Sequence, residues 1–153
     1  MAAFHISATN HTGLTVSDID RSIAFFRDVL GFEVSAKIEA RGEFFEDLVG
    51  VPGAEMLVAY VSAPGHTIEL LQYVKPDDRR RSELRPCDTG FVHMAFQVDD
   101  IDALLRAIRA GGFAPVGPVQ TSTRGSRKGG RVVYTRDADG IVFEFQQAPP
   151  KPA

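Results

Sequence analysis

The stretch HTGLTVSDIDRSI at residues 11–23 recurs, with changes, as HMAFQVDDIDALL at residues 93–105. In both copies a valine stands five residues after the histidine, and an Asp-Ile-Asp triplet begins two residues later. The first residues of each copy alternate between two faces, as in a β-strand, and those after the triplet keep helical spacing. The chain therefore contains two diverged copies of one module that starts with a strand and continues with a helix.

The second copy indicates the direction in which its histidine points. An apolar stripe that can pack against a helix is formed by Val92, Met94, Phe96 and Val98. His93 falls on the opposite face of the same strand. We therefore expect His11 and His93 to point away from the helices.

Both copies continue in the same order after the first strand. Each helix has capping candidates, Ser17 or Asp18 in the first copy and Asp99 or Asp100 in the second, and a glycine follows its end. Further strands are predicted at 32–40, 54–62, 67–74, 113–119, 131–135 and 141–147. The pattern predicts an α+β fold made of two βαβββ modules.

The predicted modules lie at about residues 9–74 and 90–147. The stretch between them, at about 75–88, is polar and charged, as expected of a surface linker. We interpret residues 1–153 as a single domain, with a frayed tail after Ala148.

Composition excludes several classes of protein. The chain has 153 residues, 44% of them hydrophobic and 24% charged, and no apolar run reaches the length of a membrane span. A net charge of −3 argues against nucleic acid as a partner. The single cysteine, Cys87, excludes an internal disulfide, and the first ten residues lack the features of a secretory signal. We therefore expect a cytoplasmic protein that neither binds nucleic acid nor sits in a membrane.

Each copy also carries a glutamate inside an otherwise apolar strand. Glu69 lies in TIELLQ and Glu144 in VFEFQQ. A buried, unpaired carboxylate costs several kcal/mol, so these two must be protonated, hydrogen-bonded or bound to a metal. Together with His11 and His93 they form a donor set suited to Zn, Ni, Co, Mn or Fe(II). The hypothesis rests on the occurrence of one such histidine and one such glutamate in each copy. His5 and His66 have no counterpart in the other copy, and we interpret them as a terminal residue and a turn residue.

The loop TSTRGSRKGGR, residues 121–131, is rich in cations and glycines. The cations Arg124, Arg127, Lys128 and Arg131 could hold a carboxylate, a phosphate or a coenzyme A moiety, or could simply be solvated.

The chain resembles the vicinal-oxygen-chelate superfamily, which includes glyoxalase I, methylmalonyl-CoA epimerase, extradiol dioxygenases, and fosfomycin and bleomycin resistance proteins. The resemblance covers nearly the whole chain. Within the first copy it rests on His11, Leu-Thr-Val at 14–16, Ser22, Phe25 and Leu-Gly-Phe at 30–32. It implies that the two modules pair into an open mixed β-barrel with helices outside, and that the protein is a homodimer. It also implies one divalent metal ion, bound by His11, Glu69, His93 and Glu144.

The branches of this superfamily differ at a few positions. A glutamate at Glu69 resembles glyoxalase I, but Thr15 stands where bacterial glyoxalases have an arginine that helps to hold glutathione. Glu55 is a loose match to the catalytic glutamate of the epimerases, and the sequence fits an exposed acid at the start of a strand at least as well. Tyr134 resembles the tyrosine of the extradiol signature and is expected to contact the substrate. In that signature Arg127 replaces the histidine that assists ring cleavage, which disfavours a dioxygenase.

The resemblance therefore favours a metal-dependent isomerase or lyase acting on a small anionic, thioester or carbonyl substrate. In such enzymes the metal stabilises an enolate or enediolate while a carboxylate, here Glu69 or Glu144, moves the proton. Three alternatives stay open: a metal-free binding protein of the bleomycin-resistance type, a fosfomycin-type transferase and, least favoured, a ring-cleavage dioxygenase. Residues such as Phe44, Phe45, Met56 and Tyr60 could fill a core or line a pocket.

Overall fold

A computed structural model of the protein describes residues 3–150. The chain divides into two compact units, one ending at Asp78 and the other starting at Arg79. This division falls inside the predicted linker. No helix in the described part of the chain is long and apolar enough to cross a bilayer.

The first unit is a five-stranded sheet that carries helices. Its elements are β1 (Thr12–Thr15), α1 (Ile19–Ala24, continued by a π-helical segment at Phe25–Val29), β2 (Glu33–Val34), β3 (Ile38–Arg41), α2 (Glu43–Val49), β4 (Glu55–Ala63) and β5 (His66–Lys75). The strands are ordered β1-β5-β4-β2, and β3 also pairs with β4. β1 and β5 are parallel, and the other pairs are antiparallel.

The second unit repeats this plan. Its elements are β6 (Met94–Val98), α3 (Ile101–Ala110), β7 (Ala114–Pro115), β8 (Gln120–Thr121), a 3₁₀ turn at Gly125–Arg127, β9 (Arg131–Arg136) and β10 (Val142–Gln147). The strand order is β6-β10-β9-β7, with β8 also on β9. β6 and β10 are parallel, like β1 and β5. The prediction of an α+β fold with two repeated modules is confirmed.

The predicted second strand of each module is wrong in detail. In place of one strand at 32–40 there are two short ones, β2 and β3, which pair with different parts of β4. In place of 113–119 there are β7 and β8, which pair with opposite ends of β9. Two prolines, Pro115 and Pro118, and Gly117 lie in or between β7 and β8 and interrupt regular pairing there.

Helix α2 was not predicted. It lies between Gly42 and Gly50, and Gly50 adopts the left-handed conformation that ends helices. Phe45 and Val49, on one face of α2, pack on a small core of Ala40, Ala54, Met56 and Val58. Phe44, on another face, is largely exposed. Phe44 and Phe45 thus belong to a helix and not to the wall of a sheet.

The apolar stripe predicted for the second copy also needs a correction. Met94, Phe96 and Val98 are partly buried, as expected, but Val92 precedes β6 and is 76% exposed. Phe96 contacts Phe143 and Phe145 of β10. The buried core of this unit includes Ile101, Ile108, Phe113, Phe143 and Phe145.

A duplicated glutamine ties each helix to the last strand of its module. Gln72 of β5 accepts a hydrogen bond from the backbone N–H of Ile19 at 2.8 Å, and Gln147 of β10 accepts one from Ile101 at 3.1 Å. Both donors belong to the first residue of a helix, whose N–H has no partner within the helix. Asp18 and Asp100 cap the following N–H groups, as the sequence predicted.

We expect the Gln147→Leu substitution to lower the free energy of unfolding by about 1–3 kcal/mol, because it leaves a polar group beside the fully buried Ile101 without its partner. Urea denaturation would measure the loss. The exposed Gln120 offers the control, since Gln120→Leu should change stability by no more than about 0.5 kcal/mol. Equal effects of the two substitutions would contradict the capping role.

Candidate active site

In the first unit the structure brings together His11 and Glu69. His11 immediately precedes β1, and Glu69 lies in β5 opposite Gly13. His11 Nε2 is 3.2 Å from Glu69 Oε2. A Cβ at Gly13 would lie 3.3 Å from the Leu71 side chain and 3.7 Å from the Glu69 carboxylate, so the space beside Glu69 is narrow.

The second unit contains the same pair in the same register. His93 precedes β6, and Glu144 lies in β10 opposite Ala95, which is equivalent to Gly13. His93 Nε2 is 3.0 Å from Glu144 Oε2. Side-chain exposure is 34–37% for the two histidines and 13–18% for the glutamates, so each carboxylate is largely buried behind a reachable imidazole.

A tyrosine stands across the sheet from each glutamate. Tyr60 of β4 pairs with Glu69, and Tyr134 of β9 pairs with Glu144. The Tyr60 hydroxyl donates to Glu69 Oε1 at 2.8 Å, and Tyr134 Oη is 3.1 Å from His93 Nε2. The hydrogen bond to Glu69 raises the pKa of Tyr60, while partial burial and the nearby Glu144 charge raise the pKa of Tyr134. Both phenols therefore stay neutral near pH 7.

The sequence analysis missed the role of Tyr60, although a signal for it exists. Pro64 and Gly65 form a two-residue turn between Ala63 and His66, and such a turn fixes the register of a hairpin. Counting back from this turn places Tyr60 opposite Glu69. The hairpin between β9 and β10 has a longer turn, so the tyrosine-to-glutamate spacing is nine residues in one copy and ten in the other. Because the two spacings differ, a comparison of the two copies at equal spacing does not align Tyr60 with Tyr134.

Glu144 has a further polar neighbour on its own strand. The Gln146 amide donates to Glu144 Oε1 at 2.6 Å, and the Gln146 side-chain oxygen accepts from Arg127 Nη1. A cavity of about 290 Å³ adjoins these residues. Its lining includes Gln97, Ser122, Arg127, Val132, Glu144 and Gln146. Of the four cations noted in this loop, Arg127 and Arg131 line the cavity, while Arg124 and Lys128 are exposed elsewhere on the loop.

The donor atoms of each pair fit a metal ion. Asn10 Oδ1 lies 2.7 Å from His11 Nδ1 and can only accept, so Nδ1 carries the hydrogen. Nε2 then carries no hydrogen and faces the Glu69 carboxylate, so two hydrogen-bond acceptors face each other. This contact is favourable only when a proton or a cation lies between them. With nitrogen-to-oxygen distances of 3.2 and 3.0 Å, the two atoms of each pair are close enough that both would bind one cation.

Within residues 3–150 no group of three or more His, Cys, Asp or Glu side chains gathers to hold a metal. Each unit by itself brings together two side chains that can bind a metal, one histidine and one glutamate. The set of four, His11, Glu69, His93 and Glu144, therefore stays a prediction.

The other candidates have structural positions. His66 begins β5, and its Nε2 lies 2.9 Å from Thr12 Oγ1, so it is a strand residue and not the predicted turn residue. His5, Thr15 and Cys87 are exposed. Glu55 is an exposed residue at the start of β4.

The sequence matches the Glyoxalase/Bleomycin resistance protein/Dioxygenase superfamily over residues 8–145. The chain belongs to this superfamily, and the resemblance seen in the sequence is confirmed.

Two curated relatives and one solved structure illustrate the similarity. The chain is 32% identical to a 2-epi-5-epi-valiolone epimerase from Actinomyces sp. over 147 residues, which cover 93% of this chain and 80% of the relative. It is 33% identical to a lactoylglutathione lyase from Haemophilus influenzae over 138 residues, 88% of each chain. A glyoxalase family protein from Bacillus cereus has a similar fold, with a TM-score of 0.83, 22% identity and coverage of 98% and 99%. The two curated relatives are enzymes, an epimerase and a lyase.

Proposed function

We propose that the protein is a metal-dependent isomerase or lyase that moves a proton at a carbon next to a substrate carbonyl. One observation carries the proposal: the same histidine–glutamate pair occurs in the same strand register of both modules, at 3.2 and 3.0 Å. In this proposal His11, Glu69, His93 and Glu144 hold one divalent cation. The homodimer, the cytoplasmic location and the choice among Zn, Ni, Co, Mn and Fe belong to the same proposal.

The chemistry of the site follows from its acceptors and donors. A bound cation would supply Lewis acidity toward the substrate carbonyl oxygen, which makes the neighbouring C–H bond more acidic. Glu69 and Glu144 are the groups that can take and return a proton, since each is a carboxylate open to one side of its strand. Tyr60 holds one oxygen of Glu69, and Gln146 holds one oxygen of Glu144, at 2.8 and 2.6 Å. Each carboxylate is thereby fixed in orientation, with its second oxygen beside the histidine.

Among proton-transfer reactions we favour epimerisation over the glyoxalase reaction. Thr15, exposed on β1, stands where bacterial glyoxalases carry the arginine that helps to hold glutathione. An epimerase needs only removal and return of one proton beside a ketone or thioester carbonyl. The relatives named above include both activities at nearly equal identity, so the preference rests on this position.

The proposal predicts solvent exchange that depends on a metal. The protein, stripped of metal and reloaded with Mn²⁺, Co²⁺, Ni²⁺ or Zn²⁺, would be incubated in D₂O with 2-epi-5-epi-valiolone, methylmalonyl-CoA or the glutathione–methylglyoxal hemithioacetal. We expect the proton next to the carbonyl of one compound to disappear from the ¹H NMR spectrum only when metal is present. Stoichiometric metal uptake without exchange in any compound would contradict proton transfer and favour the fosfomycin-type alternative.

A further inference from the structure

We propose that the cavity of the second unit binds the anionic group of the substrate, a carboxylate or a phosphate, through Arg127. In the absence of the anion, Arg127 is hydrogen-bonded to Gln146, and the anion displaces Gln146 from it. The claim that this anion belongs to the substrate rests on the proposed function. The claim that the cavity binds an anion does not.

The two modules differ beside the glutamate, on the face of the strand that carries it. Two residues after Glu69, on the same side of β5, stands Leu71, which packs against the apolar core beneath α2. Two residues after Glu144, on the same side of β10, stands Gln146, which reaches both Glu144 and Arg127. The His–Glu–Tyr arrangement is thus duplicated, whereas the polar extension beyond the glutamate belongs to the second module. An anionic end of the substrate has a matching partner there and none at Leu71.

The charges around the cavity single out Arg127. Arg131, the other arginine in its lining, makes two hydrogen bonds to Asp102 of α3, at 2.7 and 2.9 Å. This pairing neutralises Arg131 and holds the pKa of Asp102 below its usual range. Arg127 binds the neutral amide of Gln146 instead. Among residues 3–150 no carboxylate forms an ion pair with Arg127, and a guanidinium without a carboxylate partner binds an oxyanion strongly.

Glu144 is the negative group at the other side of the cavity. It pairs with His93 and accepts from Gln146, so the Gln146 side chain separates its charge from Arg127. An anion that displaces Gln146 from Arg127 would bind in the cavity that Glu144 also lines. The substrate class that fits is a small carbonyl compound whose anionic group is separated from the reacting carbon.

The size of the cavity supports a small group. Its volume of about 290 Å³ is at the lower limit of pockets that enclose a whole drug-sized ligand. It suits a carboxylate or phosphate with a few attached carbons. A coenzyme A or glutathione moiety would extend outside it.

The test is anion binding to metal-free protein at constant ionic strength, with inorganic phosphate and acetate titrated separately. Isothermal calorimetry gives the affinity, and the Arg127 guanidinium signal in the NMR spectrum gives the place. We expect saturable binding of at least one of the two anions, and the anion that binds more tightly identifies the class. Arg127→Gln should weaken it at least about tenfold, because a charge-assisted hydrogen bond is lost.

Lys128→Gln is the matched control, since it removes one positive charge from the neighbouring residue of the same exposed loop, outside the cavity lining. We expect it to change the affinity by less than about twofold. Gln146→Leu, which copies the first module, should leave anion binding as tight or tighter because it frees Arg127. Weaker binding of the anion by the Gln146→Leu protein would contradict the proposal that the anion displaces Gln146 from Arg127.

No saturable binding, or equal losses in Arg127→Gln and Lys128→Gln, would overturn the anion site itself. These measurements involve neither metal nor turnover. Metal-dependent proton exchange without anion binding would therefore reject this inference and leave the proposed function standing, while the opposite result would reject only the proposed function.

Discussion

His93→Ala is expected to lower the affinity of the protein for a divalent cation by more than about 100-fold. Even a residue that only orients a metal ligand costs roughly 10–100-fold when it is replaced, and His93 would be a ligand itself. The substitution also leaves Glu144, only 13% exposed, without the imidazole 3.0 Å away. Titration of the stripped protein with Co²⁺, followed by visible absorption and by elemental analysis, measures the change.

His5→Ala serves as the control, because His5 is an exposed histidine outside both modules' pairs. It should leave the stoichiometry of about one cation per site and the affinity unchanged. Full metal binding by His93→Ala would remove His93 from the ligand set. A parent protein that takes up none of the five candidate metals would instead favour the metal-free binding protein considered from the sequence.

Glu69→Gln and Glu144→Gln should each lower the turnover number by roughly 100- to 10,000-fold, which is the usual contribution of a general acid or base. Inverting a carbon centre requires a proton to leave one face and return to the other, and the proposed function assigns these two tasks to Glu69 and Glu144. Glutamine keeps the shape and one oxygen donor of glutamate but cannot carry the proton. Rates of epimer formation and of deuterium incorporation, measured separately, assign the two steps.

Metal content must be measured in both variants, so that loss of the cation is not mistaken for loss of the proton carrier. Glu55→Gln is the matched comparison, because Glu55 is an exposed glutamate of β4 that a loose alignment with the epimerases made a candidate. It should keep at least about half of the parent activity. If Glu55→Gln is inactive while the other two variants retain activity, the assignment of the proton carriers is wrong.

The residues of the histidine–glutamate pairs could be picked out of the sequence because strand alternation and duplication are visible locally. Strand alternation fixes the face on which His93 and Glu144 lie, and duplication shows that the pattern is not accidental. The distance between them was not predictable from alternation alone. It depends on the parallel register that places Glu144 opposite Ala95, and this register is set by contacts between segments about fifty residues apart in sequence.

Helix α2 was missed for a physical reason. Seven residues are too few to show helical periodicity, and helices of this length depend on packing for their stability. That packing comes from Phe45 and Val49 on the core around Met56, which no local pattern indicates. Arg127 was found only as one of several loop cations, because the 3₁₀ turn at Gly125–Arg127 that fixes its place is also short.

The glutamines that accept from the first N–H of each helix lie three residues after the site glutamates, in the frame Glu-x-x-Gln. The glutamate of this frame belongs to the candidate site, and the glutamine binds the start of the helix. The two side chains lie on opposite faces of one strand. Between them, Leu71 and Gln146 have diverged while the frame is the same in both copies. After duplication, one half of such a protein can change the side chains beside its glutamate without any change to the residue that holds the helix.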